Sequence, residues 1–73
     1  MIPVGQIGRA AECYDRYNNA LDPLSADARE AKRLFDDLAV GLHTAHAPDV
    51  IFLEFRYELV RQCREYLRKN RPG

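Results

Sequence analysis

Apolar residues recur along this chain at spacings of three and four, in three separate runs divided by proline-containing breaks. That period is the signature of amphipathic helices with one face turned to a common core. In the first run Ile7, Ala10, Ala11, Tyr14, Tyr17 and Leu21 form one stripe, which predicts a helix over roughly residues 6–21. Its two tyrosines are apolar in the ring and polar at the tip, so their hydroxyls need water or a partner. Asp22-Pro23 ends the run, because the residue before a proline is driven out of the α region.

A second helix is predicted over roughly residues 25–45. Ser25 is a favourable N-cap, and Asp27 and Glu30 lie near the positive end of the helix dipole. Leu24 is placed to fold back on Ala28 as a hydrophobic staple. Ala28, Ala31, Phe35, Leu38, Ala39 and Leu42 make the apolar face. Gly41 interrupts it, but Leu42 keeps phase, so the helix is expected to pass through the glycine despite a cost of about 1 kcal/mol.

The third helix is predicted over roughly residues 48–70, with Pro48 at its favoured first position. Phe52, Phe55, Leu59, Cys63, Tyr66 and Leu67 form the main stripe. Leu53, Tyr57 and Val60 add a second strip, offset around the helix axis. The apolar arc therefore exceeds half the circumference, more than one neighbour covers. No segment carries the period-two alternation of a strand. Short breaks between helices favour antiparallel neighbours. The expected architecture is all-α: a small three-helix up-down-up bundle, one domain over residues 1–73, with a longer C-terminal helix.

Composition changes this picture little, and the placement of charge changes it more. Lys and Arg number 11 and so do Asp and Glu, which removes any global pull toward nucleic acid or an anionic membrane. Yet residues 1–60 hold six basic and ten acidic side chains, a balance of −4, and residues 61–73 hold five basic against one acidic, a balance of +4. A domain of 73 residues buries a small share of its surface and benefits from oligomerisation. Cys13 and Cys63 are too few for a disulfide scaffold and wrongly spaced for a zinc ribbon. The N-terminal stretch lacks the basic and apolar regions of a signal peptide, and no apolar run approaches the length of a membrane span. A cytoplasmic, non-membrane protein is the expectation.

Candidate chemistry is sparse. His43, His46 and Asp49 have a spacing that two helical imidazoles and a carboxylate can use to hold a metal. A polar helix end is the plainer account, since histidines suit the negative end of the dipole. Arg61, Arg64, Arg68, Lys69 and Arg71 form a basic cluster able to grip phosphates, but no nucleic-acid motif accompanies it, and cations suit a helix C-terminus in any case. No nucleophile–base pair, acid–base pair or cofactor loop is present in a confirming context, so neither catalysis nor a cofactor is expected. Arg56 is out of place among apolar positions; it either snorkels, pairs with Asp36 or Asp37, or meets a partner. The reading that follows is a self-associating protein–protein interaction module, a homodimer with an unidentified protein partner. Its interface would be Leu53, Arg56, Tyr57, Val60, Arg61 and Arg64. The alternative is a nucleic-acid-associated regulatory protein that uses the basic end.

Overall fold

The structure, a computed structural model, describes residues 2–70. It is a small all-α bundle of three helices: α1 (Val4–Asn18), α2 (Ala26–His46) and α3 (Phe52–Asn70). There is no strand among the described residues. Arg16 at the end of α1 meets Asp27 at the start of α2 at 2.7 Å, so the two helices run antiparallel. His43 near the end of α2 packs on Phe52 and Phe55 at the start of α3, and Arg56 reaches back to Asp36, so α3 returns antiparallel to α2. α1 packs against both other helices, while α2 and α3 share the smallest interface.

The boundaries depart from the sequence pattern in instructive ways. α1 begins at Val4 because Pro3 offers its carbonyl to the N–H groups of Gln6 and Ile7. It stops at Asn18, short of Leu21, which is fully exposed and no part of the stripe. Asn19 caps the end, its backbone N–H and its side chain both bonded to Asp15. The staple does not form: Leu24 is exposed, and its N–H bonds the Asp22 carboxylate in a tight turn instead. Ser25 does cap α2, accepting from the Ala28 N–H at 3.2 Å.

α3 starts at Phe52, not Pro48. Pro48 occupies the second position of a β-turn closed by the Val50 N–H on the Ala47 carbonyl, a place that suits its fixed φ equally well. His43 Nε2 then bonds the Val50 carbonyl at 2.6 Å, tying this turn to α2. The first α-helical bond of α3 runs from the Phe55 N–H to the Ile51 carbonyl. As a result α2, at 21 residues, is the longest helix among the described residues and α3 has 19, so the expected longer C-terminal helix is not found there.

The core follows the predicted stripes closely. Ala10, Ala11, Phe35, Ala39, Leu42, Phe55, Leu59 and Cys63 are buried in one cluster, joined by Ile2. Its large, fully buried members are Phe35, Leu59 and Cys63. Tyr14 and Tyr17 set their rings against Phe35 at centroid distances of 5.9 and 5.8 Å. Between these larger side chains, Ala10 and Ala11 are fully buried and small enough to let the backbones approach. A Cβ on Gly8 would stand 3.1 Å from the Tyr66 hydroxyl.

α2 passes unbroken through Gly41, where a Cβ would meet nothing within 4 Å. Gly41→Ala is therefore expected to stabilise the fold by about 1 kcal/mol through helix propensity alone. That corresponds to a rise in melting temperature of roughly 4–8 °C for a domain of this size. Gly8→Ala should gain less, because the Tyr66 ring has to give by a few tenths of an ångström to admit the new methyl group. Equal shifts in thermal denaturation for the two variants would contradict this difference.

Candidate functional site

Leu53 and Tyr57 lie on the outer side of α3, turned away from the core face of Phe55, Leu59 and Cys63, and Val60 borders them at the edge where the strip meets the core it packs against. Leu53 is 74% exposed and Tyr57 76%, while Val60 is half-buried. Val50 and Ile51 extend the apolar surface into the preceding turn, both exposed. Tyr57, Val60, Arg61 and Arg64 line a shallow dimple of about 140 Å³. Four of the six residues proposed from the sequence as an interface, Tyr57, Val60, Arg61 and Arg64, thus lie side by side, with Leu53 one turn before Tyr57.

Arg56 belongs to a different environment. Its guanidinium bonds Asp36 at 3.2 Å and lies over the Phe35 ring, 5.3 Å from the centroid. Of the alternatives its position left open, this is the internal pairing, made with Asp36, and it directs Arg56, one of the six residues expected at the interface, toward α2. The side chain thereby closes the shared edge of α2 and α3 over the largest core residue. Burial raises the Tyr17 phenol above its ordinary value, and the nearby Arg56 charge opposes that rise.

The basic end of α3 is largely engaged within its own helix. Arg61 bonds both carboxylate oxygens of Glu58, and Gln62 adds a further donor. The hydrogen bonds from Arg61 and Gln62 hold the Glu58 carboxyl down at about 2. Glu65 receives Arg61, Arg68 and Lys69 at 3.8, 3.5 and 3.4 Å. Arg64 has no carboxylate partner among the described residues, and neither does Glu54 at the other end of the strip have a basic one. Arg71 lies outside the described residues.

The three metal candidates are not brought together. His43 Nε2 is held by the Val50 carbonyl, His46 lies on the last turn of α2, and Asp49 sits in the turn beyond it. No group of three or more His, Cys, Asp or Glu side chains able to hold a metal occurs among the described residues. No described helix is long and apolar enough to cross a membrane.

Cys13 and Cys63 are free thiols, the first half-buried and the second buried. Burial, reinforced by the nearby Cys13 thiol, pushes Cys63 up to about 11 from an ordinary 9.0. The native state therefore favours the protonated thiol, and the unfolded chain loses its proton first. That contribution to stability is complete below pH 9 and is lost as pH rises from about 9 to 11. A thiol reagent at neutral pH is expected to modify Cys13 and spare Cys63 until the protein unfolds. Equal labelling rates for the two would refute the burial of Cys63.

A groove of about 560 Å³ between α1 and α2 was not anticipated from the sequence. Leu34, Leu38, Gly41 and Ala45 line its α2 side and Gln6, Arg9 and Cys13 its α1 side. A signal existed: these four α2 residues recur at helical spacing, on a stripe that shares only Leu38 with the core stripe. Comparison with protein-family models, with curated proteins and with solved structures returned no match.

Proposed function

We propose that this protein is a small interaction module that self-associates through the outer face of α3 and works as an adaptor or regulatory subunit. The observation that carries the reading is the exposure of Leu53 and Tyr57, at 74% and 76%, on one side of a helix whose other side is fully used by the core. Large exposed side chains grouped in this way mark interaction surfaces, and tyrosine with arginine is the pairing enriched at interface centres. A second copy covering the strip would also supply the burial that so small a domain lacks. A role in binding nucleic acid draws less support, because Glu58 and Glu65 already engage Arg61, Arg68 and Lys69.

Sedimentation equilibrium across the micromolar to low-millimolar range tests the proposal. The wild-type chain is expected to shift from monomer to dimer. Tyr57→Glu, which places a charge at the centre of the strip, should weaken association at least about tenfold, about 1.4 kcal/mol. Circular dichroism should show its helices intact, since Tyr57 makes no core contact. A wild-type chain that stays monomeric, or a variant that associates equally well, would exclude this surface.

A further inference from the structure

We infer that the second copy docks with its α3 antiparallel to the first, related by a twofold axis that crosses the helix between Tyr57 and Val60. This rests on the self-association proposed above and adds the orientation and register. Charges at the two ends of the strip set the orientation. Among the charged side chains of α3, Glu54 and Arg64 are the two without a partner among the described residues; the others are paired within the helix or with Asp36. They have opposite sign, and they stand at opposite ends of the segment containing Leu53, Tyr57 and Val60, both exposed.

A parallel pair would set Glu54 against Glu54 and Arg64 against Arg64, like charges facing at both ends. An antiparallel pair reverses one helix and brings each Glu54 beside the Arg64 of the other copy, giving two opposite-charge contacts from one self-complementary surface. Such reciprocity is what a twofold interface requires. Complementary charges of this kind fix register and suppress the wrong orientation.

The apolar positions agree with that register. Leu53, Tyr57, Val60 and Arg64 follow one another at intervals of four, three and four, the seam of a two-helix contact. With the axis between Tyr57 and Val60, each Tyr57 ring faces the Val60 of the other copy, and the stem of each Arg64 lies over the other Leu53. The arginine then packs its methylenes on leucine and turns its head to Glu54. One helix pair of this length falls at the small end of specific interfaces, so association is expected in the micromolar range.

Cysteine cross-linking reads the orientation directly. Leu53→Cys and Arg64→Cys are made separately, incubated under mild oxidation alone and as a mixture, and the disulfide-linked peptides are identified by mass spectrometry. In the antiparallel arrangement identical positions lie about 16 Å apart along the helices, at 1.5 Å per residue, too far for a disulfide. Neither variant should link to itself through the new cysteine, whereas the mixture should give a mixed species that joins position 53 of one copy to position 64 of the other. Linking of each variant to itself, without the mixed species, would show a parallel pair and overturn this inference while leaving self-association standing. Absence of every such link, together with a monomeric wild type in sedimentation, would remove both. Absence of links with a dimeric wild type would place the interface on another face and overturn the inference. As a second measurement, Glu54→Arg should weaken dimerisation about tenfold, and adding Arg64→Glu in the same chain should restore it. A double variant no stronger than the single one would also overturn the inference.

Discussion

Phe35→Ala is expected to cost about 3–5 kcal/mol, the largest loss of any single truncation in this core. The size follows from the position of the ring. It is fully buried, two tyrosine rings of α1 lean on it, and the Arg56 guanidinium covers its remaining face. Removing it opens a cavity where all three helices converge, and also strips Tyr14, Tyr17 and Arg56 of the surface they pack on. A domain of this length has roughly 4–11 kcal/mol of stability in total, so such a loss removes a large share of it. The fall in melting temperature should be at least about 12 °C. A smaller shift would mean that the core is not organised around Phe35.

Arg56 gives the second large effect. Truncation to alanine removes an ion pair with Asp36, a cation–π contact and the packing of the side-chain stem at once. Asp36 is about half exposed, so water screens the ion pair and limits it to a fraction of the total. The cation–π contact adds about 0.5–1 kcal/mol and the stem a comparable amount, for an overall loss of about 2 kcal/mol. Arg56→Met separates these contributions. It keeps the stem and offers a sulfur to the Phe35 ring, so it should cost about half as much as alanine. Urea unfolding of the three proteins measures the difference. If methionine proves as costly as alanine, the charge carries the interaction; if both variants match the wild type, the bridge between α2 and α3 contributes nothing.

The core of this protein is legible in its sequence because helical periodicity is a local property. Ala10, Ala11, Phe35, Ala39, Leu42, Phe55, Leu59 and Cys63 declare themselves by spacing, and all are buried. Leu21 and Leu24 misled because hydrophobicity in phase with a stripe does not show where the backbone leaves the helix; Asn19 and Asp22 decide that through bonds to neighbouring groups. Pro48 misled because the first helical position and the second position of a β-turn want the same φ, and only the His43 contact across the turn distinguishes them here. The exposed strip on α3 was legible by subtraction, as the apolar surface left over once the core stripe was assigned. The Asp36 partner of Arg56 was one of two candidates, since a contact made between helices is fixed by their packing and not by periodicity. The lone charges Glu54 and Arg64 became visible as a pair of ends only after every neighbouring charge had found its mate.

The slender contacts of α1 carry a further consequence. Beside the rings of Tyr14 and Tyr17, this helix meets its neighbours at Gly8, Ala10 and Ala11, where there is almost no side chain to remove and little room to add one. α2 and α3 meet the same core through Phe35, Leu59 and Phe55, where there is much to lose. Tolerance to substitution should therefore be lopsided across the molecule. Drift at these three positions is barred in the direction of greater volume and drift in α2 and α3 in the direction of less, so lineages that preserve this fold should vary the outward residues Arg9 and Glu12 freely while Gly8, Ala10 and Ala11 stay small.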